Sequence, residues 1–252
     1  MARSNQAAYL PESVEGKNVL ITGGTTGIGL ATALLLASQG ANVLIFGRHQ
    51  QELDDARQHF KEQGLEKKVT GLVADVAKPA DIARIFKETD ERFDALDILV
   101  NNAGLAFDGI QKGKYKDWQY IVQTNLLGYI ACAHEAIDRM RKKVSGHIVN
   151  IGSMSADVRE KGSSLYVATK AGVQGFSEAL RKEVNPLGVK VSLIEPGSVG
   201  TDMQPAEGQA LKEENLKMLK AEDIAACVLY VLSQPRRCDV VSVQIRPHLQ
   251  AI

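Results

Sequence analysis

Apolar residues come in short unbroken runs, separated by longer stretches where they recur every three or four positions. The runs KNVLIT (17–22), ANVLIF (41–46), KVTGLVA (68–74), LDILVNNAG (96–104), GHIVNIGS (146–153), VKVSLIEPG (189–197) and DVVSVQI (239–245) read as strands covered on both faces. Between them, GIGLATALLLASQG (27–40), RHQQELDDARQHFKEQG (48–64), PADIARIFKETDERF (79–93), 117–143, 164–185 and EDIAACVLYVLSQ (222–234) read as helices. Gly40 suits a helix C-cap and Pro79 a first helical turn. Segment 117–143 carries Trp118, Ile121, Val122, Leu126, Tyr129, Ile130, Ala133 and Ile137 at helical spacing, which predicts one long helix.

Strands that alternate with helices imply βαβ crossovers. The pattern therefore predicts an α/β, doubly wound, seven-stranded and mostly parallel sheet with helices on both faces. No shift in composition marks a linker, so 1–252 reads as one domain. Residues 1–15 read as a loosely ordered leader, and 197–221 as an irregular loop of the kind that often covers a binding site.

Composition narrows the classes. Thirty basic residues balance thirty acidic ones and are spread along 252 positions, so nothing points to nucleic acid. The opening MARSNQAAYLPESVEGK lacks the apolar centre of a secretory signal, and no apolar run approaches a membrane span. Cys132, Cys227 and Cys238 have neither zinc nor disulfide spacing, and the five histidines are scattered, so no metal site is expected. A reduced, cytoplasmic protein acting on a small molecule is the expectation.

The first strand runs into LITGGTTGIG, with Gly23, Gly27 and Gly29 spaced Gly-x-x-x-Gly-x-Gly around Thr25, Thr26 and Ile28. Such a turn lets backbone approach a pyrophosphate, and the following helix N-terminus offers free N–H groups and a positive dipole. Glycine in this turn can also serve geometry alone. The second strand ends in FGRH: Gly47 stands where an acid would bond a ribose 2′-hydroxyl, and Arg48 follows, with His49 next. A guanidinium there suits a 2′-phosphate, which favours NADP(H) with NAD possible; the alternative is a surface arginine. Asp75 and Val76, at the third strand's end, could bond adenine or cap the next segment. Asn102, Ala103 and Gly104 close the fourth strand as a wall beside the adenosine, or as ordinary turn residues.

SSLYVATKAG (163–172) puts Tyr166 one helical turn before Lys170, the one Tyr-x-x-x-Lys pair in the chain. Chance produces such pairs, but the strand before this helix ends in NIGSMS, which brings Ser153 to the same sheet edge. Carbonyl reduction needs a proton donor, and alcohol oxidation needs a base. A phenol is ordinarily near pKa 10, and a neighbouring ammonium would lower it. Lys170 could supply that charge and bond the nicotinamide ribose. Ser153 could donate to the substrate oxygen. Asn125, facing inward on the long helix, could tether a water linking Lys170 to solvent.

Taken in order, TGGTTGIG, Asp75–Val76, NNAG, Asn125, Ser153, YVATK and PGSVGTDM resemble the short-chain dehydrogenase/reductase family over about residues 16–246. The resemblance implies a one-domain Rossmann fold and an NAD(P) cofactor. It assigns Tyr166 as proton donor or acceptor, with Lys170, Ser153 and Asn125 in the roles above. Pro196, Gly197, Val199 and Thr201 then join the cofactor site, with Ser153, Met154, Tyr166 and Met203 around the substrate. It implies a homotetramer or homodimer built through 117–143, 164–185 and the C-terminal strand region. One departure stands out. Members preferring NADP often carry a base just before the second loop glycine, where this chain has Thr26, so the 2′-phosphate case rests mainly on Arg48.

Substrate choice is expected to lie with Leu105, Ala106, Phe107, Met154, Val158, Val199, Met203 and the loop beyond, mostly apolar residues suited to a small or medium, uncharged carbonyl or secondary alcohol. Arg159 and Lys161 either hold a carboxylate or are solvated. Two rival classes are a cofactor-binding regulator with little turnover and a sugar-nucleotide epimerase. The intact Ser153, Tyr166 and Lys170 argue against the first, and the short chain after residue 197 argues against the second.

Overall fold

The computed structural model describes residues 11–201, 203 and 208–250. Its central sheet has the order β3-β2-β1-β4-β5-β6-β9, every neighbour parallel. The strands are β1 (Asn18–Thr22), β2 (Asn42–Gly47), β3 (Val69–Val73), β4 (Ile98–Asn101), β5 (Gly146–Ile151), β6 (Val189–Pro196) and β9 (Ser242–Ile245). They fall on the seven runs read from the sequence. Val19, Leu20 and Ile21 are fully buried because successive side chains enter two different cores. Val19, Ile21, Val43 and Ile45 pack with α1 (Gly27–Ser38), α2 (Gln50–Glu62) and α9 (Ala221–Leu232). Leu20, Leu44, Phe46 and Leu99 pack with α3 (Pro79–Arg92), α5 (Gly128–Met140) and α7 (Ser164–Val184).

The expected long helix over 117–143 is present without a gap, but it is not α-helical throughout. α4 (Tyr115–Val122) passes through a π-helical turn, Gln123–Leu127, into α5, and Arg141–Lys143 finish as a 3₁₀ turn. The Gly128 N–H donates to the Gln123 carbonyl five residues back, so one residue is extruded within an unbroken rod. Hydrophobic spacing alone does not register that insertion.

Short elements populate the remainder: α6 (Ser155–Val158), β7 (Val199–Gly200), α8 (Gln209–Glu214) and β8 (Leu219–Lys220). The 197–221 segment, read as irregular, thus carries a helix and a small parallel ladder in which Val199 pairs with Leu219. Residues 202 and 204–207 of that loop, and 1–10 of the leader, lie outside the described residues. The end of the leader is docked: Val14 is buried, and the Glu12 N–H donates to the Ser233 carbonyl at 2.8 Å. Among the described residues no helix is long and apolar enough to cross a membrane.

Strand order reverses between β1 and β4, so their carboxyl ends open a crevice. The glycine turn, the 102–104 segment and the ends of β2 and β3 converge there.

Candidate active site

The turn after β1 is packed to its limit. A Cβ on Gly29 would lie 2.1 Å from the Gly23 carbonyl oxygen and 2.6 Å from Asn102 Nδ2, so the first turn of α1 can sit against the loop only with glycine there. Thr22 and Asn102 hold that loop to β4. The Thr22 hydroxyl oxygen accepts the N–H groups of Asn102 and Ala103, both at 2.8 Å. In return Asn102 Nδ2 donates to the carbonyls of Thr22 (3.0 Å) and Gly23 (2.9 Å). Asn102 is therefore a clamp as well as a wall. Thr22, which makes the clamp reciprocal, was not singled out from sequence, where it reads as one more strand residue.

A cavity of about 300 Å³ opens over this turn, lined by Gly23, Thr25–Ile28, Gly47, Arg48, Val76, Asn102–Gly104, Leu105 and Thr201, among others. Leu105 thus faces this cavity, where the sequence reading had put it with the substrate. His49, exposed at the N-cap of α2, and Asp75 do not line it. The Asp75 carboxylate instead accepts the Tyr120 hydroxyl at 2.9 Å and the Ala77 N–H at 3.0 Å. The Tyr120 hydroxyl in turn accepts a bond from Arg48 Nη1 at 3.0 Å. Glu52, in the first turn of α2, also lines the cavity, and its carboxylate accepts the Thr25 hydroxyl at 3.4 Å. Neither Tyr120 nor Glu52 carried a sequence signal of its own.

A second cavity, about 370 Å³, adjoins the first, since Ala106 and Met203 line both. Ser153, Met154, Tyr166, Pro196 and Gly197 border it with Phe107 and Val158. Val199 is buried and borders neither cavity. The lining is more polar than the sequence suggested, because Ser155, Ser163, Ser198, Glu160 and Gln250 also contribute. Arg159 and Lys161 do not border it.

Lys170 lies behind Tyr166. It is buried, and its Nζ donates to the Ile151 carbonyl at 2.9 Å. The Tyr129 hydroxyl donates to the same carbonyl at 3.0 Å. Nζ lies 5.8 Å from the Tyr166 ring centre and 5.5 Å from that of Tyr129, a wholly buried ring read beforehand only as an apolar helix position. Burial pushes the Lys170 ammonium down to about 8. It also pushes the Tyr166 phenol above its ordinary value; a bond from Ser153 opposes that shift and the Glu160 charge adds to it. The expected lowering of the phenol is thus not found: the shift is upward, and desolvation is its largest cause.

Asn125 occupies the π-helical turn and is buried. Its Oδ1 accepts the Leu105 N–H and its Nδ2 donates to the Leu105 carbonyl, both at 2.8 Å. Nδ2 also reaches the Thr169 hydroxyl at 3.3 Å, and that hydroxyl donates to the Tyr166 carbonyl at 2.8 Å. The side chain expected to tether water is committed to the loop after β4 and to the turn bearing Tyr166.

Residues 17–212 match the family model described as short chain dehydrogenase. The chain belongs to the short-chain dehydrogenase family. Similar curated proteins include an uncharacterized oxidoreductase of Staphylococcus aureus (strain USA300), 33% identical over 92% of this chain and 97% of its own. Another, from Staphylococcus epidermidis, is 34% identical over 93% of this chain and 98% of its own. Among solved structures, a short chain dehydrogenase from Burkholderia cenocepacia J2315 in complex with NADP superimposes with a TM-score of 0.82 at 30% identity, covering 94% of this chain and 98% of that one. As a short-chain dehydrogenase, the protein is an NAD(P)-dependent oxidoreductase with a single α/β domain.

Proposed function

We propose that this short-chain dehydrogenase moves a hydride between NADP(H) and a small or medium carbonyl compound or secondary alcohol, with Tyr166 as general acid and base. The observation that carries this reading is the position of Tyr166 and Ser153 on the wall of a cavity that adjoins the glycine-turn cavity. The glycine turn fits a dinucleotide: a Cβ on Gly29 would fill the space between loop and helix, and α1 presents its N-terminus to the cavity. Bound nicotinamide supplies or accepts the hydride.

The protein's own groups handle the proton. In reduction the carbonyl carbon gains a hydride and its oxygen gains the Tyr166 proton, leaving a phenolate; oxidation runs the same transfers backward. Burial keeps the phenol protonated at neutral pH, which suits the donor role. The Ser153 hydroxyl donates to the substrate oxygen and fixes its approach. The Lys170 ammonium, held by the Ile151 carbonyl, stabilises the phenolate as it forms. Arg48 favours the 2′-phosphate of NADP. The NADP complex of the Burkholderia relative supports this preference. Assembly as a homotetramer or homodimer belongs to the same reading, supported by the exposed Val122, Leu127 and Ile130 along α4, the π turn and α5.

The test is a titration of the protein and Tyr166→Phe with NADPH and NADH, followed by a carbonyl panel read at 340 nm. The reading expects tighter NADPH binding and a loss of turnover of about 10²-fold or more in the variant, with binding intact. Failure of both nucleotides to bind would overturn it.

A further inference from the structure

The substrate cavity is charged, and its charge is negative. Beyond Ser153 and Tyr166 its wall includes Ser155, Glu160, Ser163 and Gln250. Glu160 is the one carboxylate among the described lining residues, and no Lys or Arg joins them. The flanking bases turn elsewhere: Arg159 adopts a left-handed backbone (φ 55°) at the end of α6, and its Nε donates to the Ala156 carbonyl at 3.2 Å. Arg246 packs its Cβ near Gly197 without bordering the cavity.

Glu160 has acceptor capacity to spare. The Ser155 hydroxyl donates to Oε1 at 2.9 Å, while Oε2 has no hydrogen-bond partner and the carboxylate no ion pair among the described residues. It is near enough to Tyr166 to act on it electrostatically. A substrate whose carbonyl oxygen lies between Ser153 and Tyr166 therefore shares its cavity with an uncompensated carboxylate. A carboxylate substrate meets a like charge there with no base to offset it, whereas a cation gains a charge-assisted partner.

We infer that Glu160 makes this site charge-selective, so that its substrates are cationic carbonyl compounds or alcohols, taken in preference to carboxylates. This deepens the reductase reading and rests on it for the orientation of the bound molecule.

Binding and turnover test the two readings separately. With saturating NADPH, calorimetry compares benzyltrimethylammonium with phenylacetate, a matched unreactive pair, on wild type and Glu160→Gln. The cation is expected to bind at least fivefold tighter than the anion to wild type, and the difference to vanish in the variant while the NADPH Kd stays constant. An equal preference in both proteins, or none in wild type, overturns the inference whatever the turnover results. In parallel, benzaldehydes bearing a para trimethylammoniomethyl, methyl or carboxymethyl group are assayed at 340 nm. The cation-to-anion ratio of kcat/KM is expected to fall about tenfold in Glu160→Gln; intrinsic aldehyde reactivity cancels between the two proteins. Charge-selective binding without turnover of any aldehyde would count against the reductase reading and uphold the assignment of Glu160.

Discussion

The Tyr120 hydroxyl donates to the Asp75 carboxylate at 2.9 Å and accepts a bond from Arg48 at 3.0 Å. One phenol on α4 therefore ties the end of β2 to the end of β3, across the edge of the nucleotide cavity. It holds a guanidinium that is otherwise exposed, and a held cation loses less freedom on meeting a phosphate. Tyr120→Phe removes both bonds. NADPH is expected to bind about fivefold more weakly, in line with one net hydrogen bond, with NADH changed less than twofold. Arg48→Gln should cost NADPH more, about tenfold, because it removes the charge itself. Fluorescence titrations of the three proteins decide the matter. A Tyr120→Phe protein that discriminates like wild type, alongside an Arg48→Gln protein that does not, would confine recognition to Arg48.

Gly47 stands where an acid would select the unphosphorylated ribose, yet the structure leaves no room for one. A Cβ there would lie 2.1 Å from Thr25 Oγ1 and 2.7 Å from Thr25 Cγ2. Gly47→Asp is therefore expected to behave as an overpacking change, costing about 1–3 kcal/mol and a few degrees of Tm, and to weaken both nucleotides. Gly47→Asp combined with Thr25→Gly should recover the Tm and favour NADH. Scanning calorimetry and nucleotide titration check both; full Tm in the single variant would show that the turn yields.

These two positions show what the sequence disclosed. The seven strands were legible because strands buried on both faces are unbroken apolar runs, and Val43–Phe46 could hardly be anything else. The glycine turn, Arg48 and the Tyr166–Lys170 pair were legible because they are local. What stayed hidden is contact between segments far apart in the chain. Tyr120 is 72 residues from Arg48 and 45 from Asp75, and it lies on a helix face where a tyrosine reads as packing. Glu160 lay between two bases that drew attention, yet of the three it alone borders the cavity, directly after the left-handed turn at Arg159. The π turn was invisible because extruding one residue leaves the helical pattern on both sides intact.

His147 is expected to make the protein acid-sensitive. The Ser192 hydroxyl gives its proton to the Val240 carbonyl at 2.6 Å, so at 2.9 Å its oxygen accepts from the Nε2–H of His147, which fixes the neutral tautomer. Burial, and then the charge of Lys190, hold the imidazole down to about 3. The ordinary value is about 6.5, so below that pH the unfolded chain binds a proton that the folded chain refuses. The contribution is intact above pH 6.5 and is lost progressively as pH falls toward 3. His147→Gln keeps an amide donor for Ser192 and cannot titrate. Urea unfolding at pH 7 and pH 4.5 should show wild type losing on the order of 2 kcal/mol more than the variant between them. Parallel losses in the two proteins would mean that other groups carry the acid sensitivity.

Asn125 and Thr169 separate the two halves of the site. Asn125 grips the Leu105 backbone from both sides, and Leu105 borders the nucleotide cavity; through Thr169 the same amide reaches the Tyr166 carbonyl. Asn125→Ala leaves the Leu105 N–H and carbonyl without this partner, which is expected to cost about 1–3 kcal/mol of stability, weaken NADPH and lower kcat together. Thr169→Val keeps the shape and breaks only the branch to Tyr166. It should lower kcat by about fivefold with the NADPH Kd unchanged, since the misplacement is confined to the proton donor. Calorimetric Kd values and steady-state kcat for the pair make the comparison. If Thr169→Val weakens NADPH as much as Asn125→Ala does, the turn bearing Tyr166 and the loop after β4 move as one body, and Asn125 acts on the site as a whole rather than on two separable parts.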